Sequence, residues 1–426
     1  MIFLQDVAFK VINVSLQAKA AMEYYQFELP NGIRCVHRQI KGAVSYCGLT
    51  INTGSRDELP TEYGMAHFAE HSLFKGTKHR KAYQINSRLE NLGGELNAFT
   101  TKEETVLHAI TLRKDFSKAV ELISDITFHP TFPEREIEKE KEVIFDEINS
   151  YKDSPSERIY DEFEDRLFSG SSLGHNILGK KQAILRYNSS GLEAFHQRTY
   201  NTDQMVFSAI GPVGERRFRE VCERYLAPIP CNERKFERTG GIGVSPFRVE
   251  RKFNTFQAHC IIGERAYSNQ SDKRIPFSLL VNMLGGLSSN SLLNMALRER
   301  NGFSYNIEAN YIPFGDSGIS TIYFSSDKDK VDVCIDLIYK ELNKLILGKI
   351  SPRQFSIAKK QFIGQLHISM ENNESNMLSA GKSLLVYGRI DSTAEMIRKI
   401  QAVSLSDVID VAREIYDRSL SLYIYK

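Results

Sequence analysis

Apolar and polar residues alternate over positions 24–29, break at Pro30-Asn31-Gly32, and alternate again over 33–37. Asn-Gly between two alternating runs predicts a β-hairpin, because its residues accept the positive φ angles of a tight turn. A third strand is predicted at 43–51, ending in Thr53-Gly54-Ser55. The period then lengthens. Apolar residues spaced by three and four predict helices over 64–74 and 82–92, the second stopped by Gly93-Gly94. A strand follows at 105–111 and an amphipathic helix at 114–127. Segment 133–151 is long, charged and helical in pattern. Pro133, Glu134 and Glu136 suit its N-terminus, where acidic side chains favour the helix dipole. A strand at 205–211 and a helix over 214–225 end this half.

From Pro228 to Pro246 the pattern lapses, through Pro230 and Thr239-Gly240-Gly241-Ile242-Gly243. Order then resumes with a strand at 257–263, a helix at 275–284, a Gly285-Gly286 break and a helix over 291–300. Strands near 305–311 and 317–325, helices over 330–347 and 352–370, and a strand at 419–425 complete the chain. The halves share element order and length without a close residue repeat, which suggests duplication. The expected fold is α/β, of the α+β kind: two homologous domains, each an antiparallel-rich sheet packed on helices. The expected division is an N-terminal extension at 1–22, a first domain at 23–230, a linker at 231–246 and a second domain at 247–426.

Composition adds exclusions. The 426 residues are 42% hydrophobic and 25% charged, an ordinary globular balance. Fifty-five basic residues against 53 acidic ones leave a net charge of +2, so bulk charge does not point to nucleic acid. No run approaches the ~18 apolar residues of a membrane span. The first twenty residues lack a basic n-region and contain no arginine, which makes a poor secretory or mitochondrial leader; a cytoplasmic protein is expected. Cys35, Cys47, Cys222, Cys231, Cys260 and Cys334 form no C-x-x-C pair and are expected as free thiols, in preference to a Cys222–Cys231 bridge.

The chemistry concentrates in His67-Phe68-Ala69-Glu70-His71. On a helix, His67 and His71 project from one face, one turn apart, and two such imidazoles can meet one zinc ion. Glu70 reaches the same face and is placed to accept a proton from water at the metal. A pentad of this form arises by chance about once in a hundred chains, and most lone histidines are structural. The pattern is nevertheless a known zinc-peptidase motif. A third protein ligand is then needed. Glu140 and Glu147, seven residues apart in the charged helix, share a face, with Val143 and Ile144 near that line suggesting an inward direction. One carboxylate suits the metal and the other a ligand histidine, and spacing leaves open which is which. A solvated, salt-bridged surface is the expectation for the rest of that helix.

With His67–His71 followed by Leu73-Phe74-Lys75-Gly76-Thr77, the chain resembles the inverted-motif zinc peptidases, which include pitrilysin, insulin-degrading enzyme and the mitochondrial processing peptidase. The resemblance is nearest to the two-domain, processing-peptidase-like members. It implies one Zn2+ per chain, Glu147 as the third ligand and Glu140 as support for a ligand histidine. Gly94-Glu95-Leu96-Asn97-Ala98-Phe99-Thr100 resembles the family's glycine-rich turn and edge strand, which implies that Asn97 and Ala98 touch a peptide added as an extra strand. Arg298 and Tyr305 resemble the family's distal pair, implying hydrogen bonds to the peptide carbonyl. By the same resemblance the chain is an endopeptidase acting on peptides or unfolded segments within an enclosed chamber. Two subunits form that chamber, as a homodimer or as half of a heterodimer. A non-catalytic core-type subunit of the same architecture is the rival, as is a zinc enzyme with another hydrolytic target. His37, His108 and His175 are expected to be ordinary structural or surface residues.

Overall fold

Residues 24–239 and 243–426 are described by a computed structural model, so the segment expected as an N-terminal extension lies outside the described residues. The first sheet collects β1 (Tyr25–Glu28), β2 (Arg34–Gln39), β3 (Val44–Ile51), β4 (Glu95–Thr100), β5 (Thr105–Leu112) and β6 (Met205–Gly211). Their order is β1-β2-β6-β3-β5-β4. The predicted hairpin joins β1 and β2. Gly32 takes φ +89°, and Asn31 anchors the turn by donating to the carbonyls of Leu226 and Ile229 at 2.8 and 2.9 Å. The second sheet contains β7 (Arg248–Arg251), β8 (Ala258–Arg265), β9 (Asn306–Pro313), β10 (Gly318–Ser326) and β11 (Ser421–Tyr425), in the order β7-β11-β8-β10-β9.

The two sheets repeat one topology. β2 runs parallel to β6 as β7 does to β11, and the next three pairings are antiparallel in both. Among the described strands only β1 lacks a counterpart. This matches the duplication expected from element order.

Helices cover the sheets. In the first half the longer ones are α1 (Met65–Leu73), α2 (Ala82–Glu90), α3 (Phe116–Phe128), α4 (Glu134–Lys152), α5 (Pro155–Leu167), α6 (Ser189–Thr199) and α7 (Glu215–Tyr225), with a single helical turn at Lys181–Ile184. In the second half they are α8 (Arg274–Gly285), α9 (Val331–Ile346), α10 (Pro352–Ser369), α11 (Asn373–Tyr387), α12 (Thr393–Ala402) and α13 (Leu405–Tyr416). The helix expected over 291–300 is largely a π-helical turn at Asn294–Glu299. Arg300 N–H reaches Met295 O, and the Asn301 amide binds Ala296 O at 2.7 Å, widening the coil.

Each half lends a helix to the other. α5 lays Ile159, Phe163 and Leu167 against Ile261, Tyr423 and Tyr425 of the second sheet. In return, α11 lies across β3 and β6 of the first sheet. Met377 Sδ meets Ser208 Oγ at 3.0 Å. Gly381 permits the close approach, since a Cβ there would stand 2.7 Å from Thr50 Oγ1. The first sheet is thus covered on both faces, and every residue of β6 is buried. Residues 226–247 carry no helix or strand among those described; Arg238 there clamps Asp57 at 2.7 Å. Cys222 is buried and Cys231 exposed, and all six cysteines are free. Among the described residues no helix is long and apolar enough to cross a membrane.

On α4 the inward line is Ile137, Glu140, Lys141, Ile144 and Ile148. Val143, expected near that line, is half exposed. It lies one position round the helix from Ile144, which is enough to leave the buried stripe.

Candidate metal centre

α1 starts abruptly at Gly64, whose φ of +102° turns the chain into the helix. The Glu58 carboxylate accepts the N–H groups of Gly64 and Ala66 at 2.9 and 2.7 Å, satisfying donors that a helix start leaves free. His175 Nε2 lies 2.8 Å from the same carboxylate, with its ring stacked 3.9 Å from that of Tyr63. Burial pushes the Glu58 carboxyl up, against the pull of His175 and both N–H groups. His37 is a core residue within hydrogen-bond distance of the Ala209 and Val213 carbonyls. His108 Nδ1 faces Glu374 of α11 at 3.0 Å.

His67 and His71 leave α1 on one face with ring centroids 4.6 Å apart. α4 packs across this face and sets Glu147 against both: His67 Nε2 lies 3.6 Å from Oε1 and His71 Nε2 3.9 Å from Oε2. One ligand atom from each residue falls within 4.8 Å of the others. These gaps are too long for hydrogen bonds. They approach the ~3.4 Å separating donors held ~2.1 Å from a tetrahedral ion. Two imidazoles and a carboxylate, with Glu147 partly open to solvent, therefore fit a catalytic zinc.

Glu140 occupies a different place. Its Oε1 meets His71 Nδ1 at 2.8 Å, on the ring edge turned from Glu147, and its Oε2 meets Lys75 Nζ at 2.6 Å. Burial alone would raise the Glu140 carboxyl, but bonds from His71 and Lys75 prevail and hold it below the usual range. Burial likewise opposes charge on His71, yet the Glu140 bond and three nearby carboxylates raise its pKa. Among the described residues His67 Nδ1 has no such partner: burial, then the charge of His71, lowers it to about 3, so its ring is neutral and its nitrogen lone pair available.

Glu70 stands on the same helix face, mostly buried, and accepts a hydrogen bond from Thr100 Oγ1 at 2.7 Å. Burial raises its carboxyl pKa, and the Thr100 bond moderates the rise. Thr100 ends β4, which pairs with β5 and forms the edge of the first sheet. Along β4, Leu96, Ala98 and Thr100 are half-buried while Glu95, Asn97 and Phe99 are exposed. Ala98 therefore lies on the core side and Asn97 on the opposite face.

The structure thus brings together His67, Glu70, His71, Glu140 and Glu147, with the β4 edge alongside. It does not bring Arg298 and Tyr305 to them within the chain. Those two line a separate cavity of about 480 Å³ in the second half, with Asn282 and Glu308. Tyr305 is 80% exposed. Lys75, Thr100 and Glu58 make contacts that the sequence did not single out, whereas His175, expected as an ordinary structural or surface residue, is buried against Glu58. Lys75 and Thr100 lie within recognisable motifs, but their contacts join segments far apart in the chain.

Comparison with known proteins agrees with this architecture. Residues 35–181 match the family model described as insulinase (peptidase family M16), and residues 188–362 match the peptidase M16 inactive domain. An uncharacterized zinc protease of Bacillus subtilis, YmxG, is 31% identical over 401 residues, spanning 93% of this chain and 97% of that protein. An uncharacterized zinc protease of Mycobacterium tuberculosis is 30% identical, over 94% and 92% of the two chains. Among solved structures, a peptidase M16 inactive domain from Pseudomonas fluorescens superposes with a TM-score of 0.89 at 15% identity, over 95% of this chain and 98% of that one. A protease from Helicobacter pylori gives 0.86 at 19% identity, over 95% and 99%. The likeness to these two is one of fold; the family models together match most of the chain and the zinc-protease relatives are at least 30% identical over nearly its whole length, so the chain belongs to the insulinase family of peptidases, M16.

Proposed function

We propose that the chain is a zinc metalloendopeptidase that hydrolyses peptides or unfolded segments, with one catalytic zinc per chain held by His67, His71 and Glu147. The observation that carries this reading is the convergence of those side chains with Glu70 beside a sheet edge. Bound there, zinc would supply Lewis acidity, which brings the pKa of water towards about 7 and polarises a carbonyl. Glu70 accepts the proton of the attacking water and delivers it to the leaving amine. Glu140, bonded to His71 Nδ1, fixes the ring so that Nε2 presents its lone pair. Main-chain groups of the substrate pair with the free edge of β4 near Asn97 and Ala98, so affinity depends little on sequence. Thr100 ties that strand to the base.

Arg298 and Tyr305 belong to the same proposal through a second subunit. Their exposure and their distance in sequence from the metal constellation support a homodimer, in which each copy presents them to its partner's peptide carbonyl.

Cleavage of a broad peptide library, with zinc content, by wild type and Glu70→Gln tests the reading. Equal zinc and a loss of about 10²–10⁴-fold in cleavage by the variant are expected. Wild type that holds zinc yet cleaves nothing would favour a non-catalytic subunit of this architecture.

A further inference from the structure

The chain leaving α1 runs beside the chain leaving α3. Lys78 N–H donates to His129 O at 2.9 Å and Thr131 N–H to Gly76 O at 3.0 Å. This backbone zip gathers His79, Asp125 and His129, with one ligand atom from each within 4.8 Å of the others. Asp125 and His129 are four residues apart at the end of α3 and share its face. His129 Nδ1 lies 3.6 Å from Asp125 Oδ1, and is buried without a hydrogen-bond partner among the described residues. His79 Nδ1 lies 2.5 Å from the same oxygen. The other carboxylate oxygen is held by Thr77 at 2.8 Å and Arg80 at 2.5 Å, which fixes Oδ1 towards the two imidazoles.

We propose that His79, Asp125 and His129 form a second site, for a borderline divalent transition metal such as zinc or nickel, separate from the catalytic constellation. Two imidazoles and one carboxylate oxygen suit such ions, whereas calcium and magnesium require mostly oxygen. The ion takes the place of the hydrogen between His79 and Asp125, with the neutral His79 ring carrying its hydrogen on Nε2 so that Nδ1 can ligate. It also gives His129 Nδ1 the partner it lacks. The His79 side chain is 59% exposed, which leaves room for its ring to shift and for water to complete the coordination. An ion here would pin the loop after α1 to α3. That loop carries Lys75, which holds Glu140 against His71, so the second site braces the first.

Equilibrium dialysis against zinc tests this on the full chain. Wild type should bind two equivalents, and His79→Ala/His129→Ala and His67→Ala/His71→Ala one each, with unchanged circular dichroism. A single equivalent in wild type that disappears in His67→Ala/His71→Ala overturns the proposal. Should His79→Ala/His129→Ala fail to fold, cobalt(II) added to His67→Ala/His71→Ala decides. Visible ligand-field bands from bound cobalt support the site, and their absence overturns it. Neither outcome depends on whether the protein cleaves peptides.

Discussion

Glu140 and Glu147 show how a single position is assigned its chemistry. Along α4 they are equivalent, seven residues apart; against α1 one faces two Nε2 atoms and the other a single Nδ1. Glu140→Gln is expected to keep the fold and lower zinc affinity about 10–100-fold, measured by competition with a chelating dye. Thr100→Val probes the base. The Thr100 bond favours the carboxylate form of Glu70, so its loss raises that pKa and moves the acid limb of kcat/KM to higher pH. An unmoved limb would argue against Glu70 as the base. His196 sets a stability term elsewhere. Burial lowers it to about 4, although its bond to Thr127 O pulls the other way. It is therefore neutral when folded but protonates near 6.5 when unfolded, so its contribution is complete above pH 6.5 and lost as pH falls towards 4. That loss is on the order of 3 kcal/mol, read as a fall in urea stability that His196→Gln flattens.

At the scale of elements, the helices with a strong apolar stripe and a clear stop were legible. α1, α2, α3 and α4 fall within two residues of the predicted limits. α5, α6 and α11–α13 were not assigned. α11 shows why: its buried face is Asn376, Met377, Ala380, Gly381 and Leu384, small and mixed because it lies flat on a sheet of the other half. Periodicity reports a helix whose partner surface is uniformly apolar, and this one meets Ser208 and Thr50 at Gly381 and Val36 and Val206 only at Leu384. Gly381→Leu should push α11 off β3 and β6 and cost about 1–3 kcal/mol by denaturant titration, with zinc content unchanged.

The whole molecule is two copies of one sheet topology, bound by exchanged helices and by Arg56, whose guanidinium reaches both Glu103 and Asp316 at 2.5 Å. If Arg298 and Tyr305 serve a partner's metal, Glu70→Gln and Arg298→Ala are each inactive alone yet complement when mixed. Random exchange would restore roughly a quarter of wild-type activity, since half the dimers are hybrids and each has one intact site. No recovery after verified subunit exchange would overturn the placement of Arg298 at a partner's metal.

What the sequence determined by itself is local. His67, Glu70 and His71 share a face because helical geometry sets it within five residues, and the Asn31-Gly32 hairpin follows from turn chemistry over four. The metal motif was legible for the same reason, and family resemblance extended it to Glu147. Tertiary structure decided what depends on contacts between distant segments: Thr100 on Glu70, Lys75 on Glu140, His175 on the carboxylate that caps α1, and the helix each half lends the other. Those contacts arise from packing, in which any polar residue at the right place on a face can serve. No spacing along the chain records them.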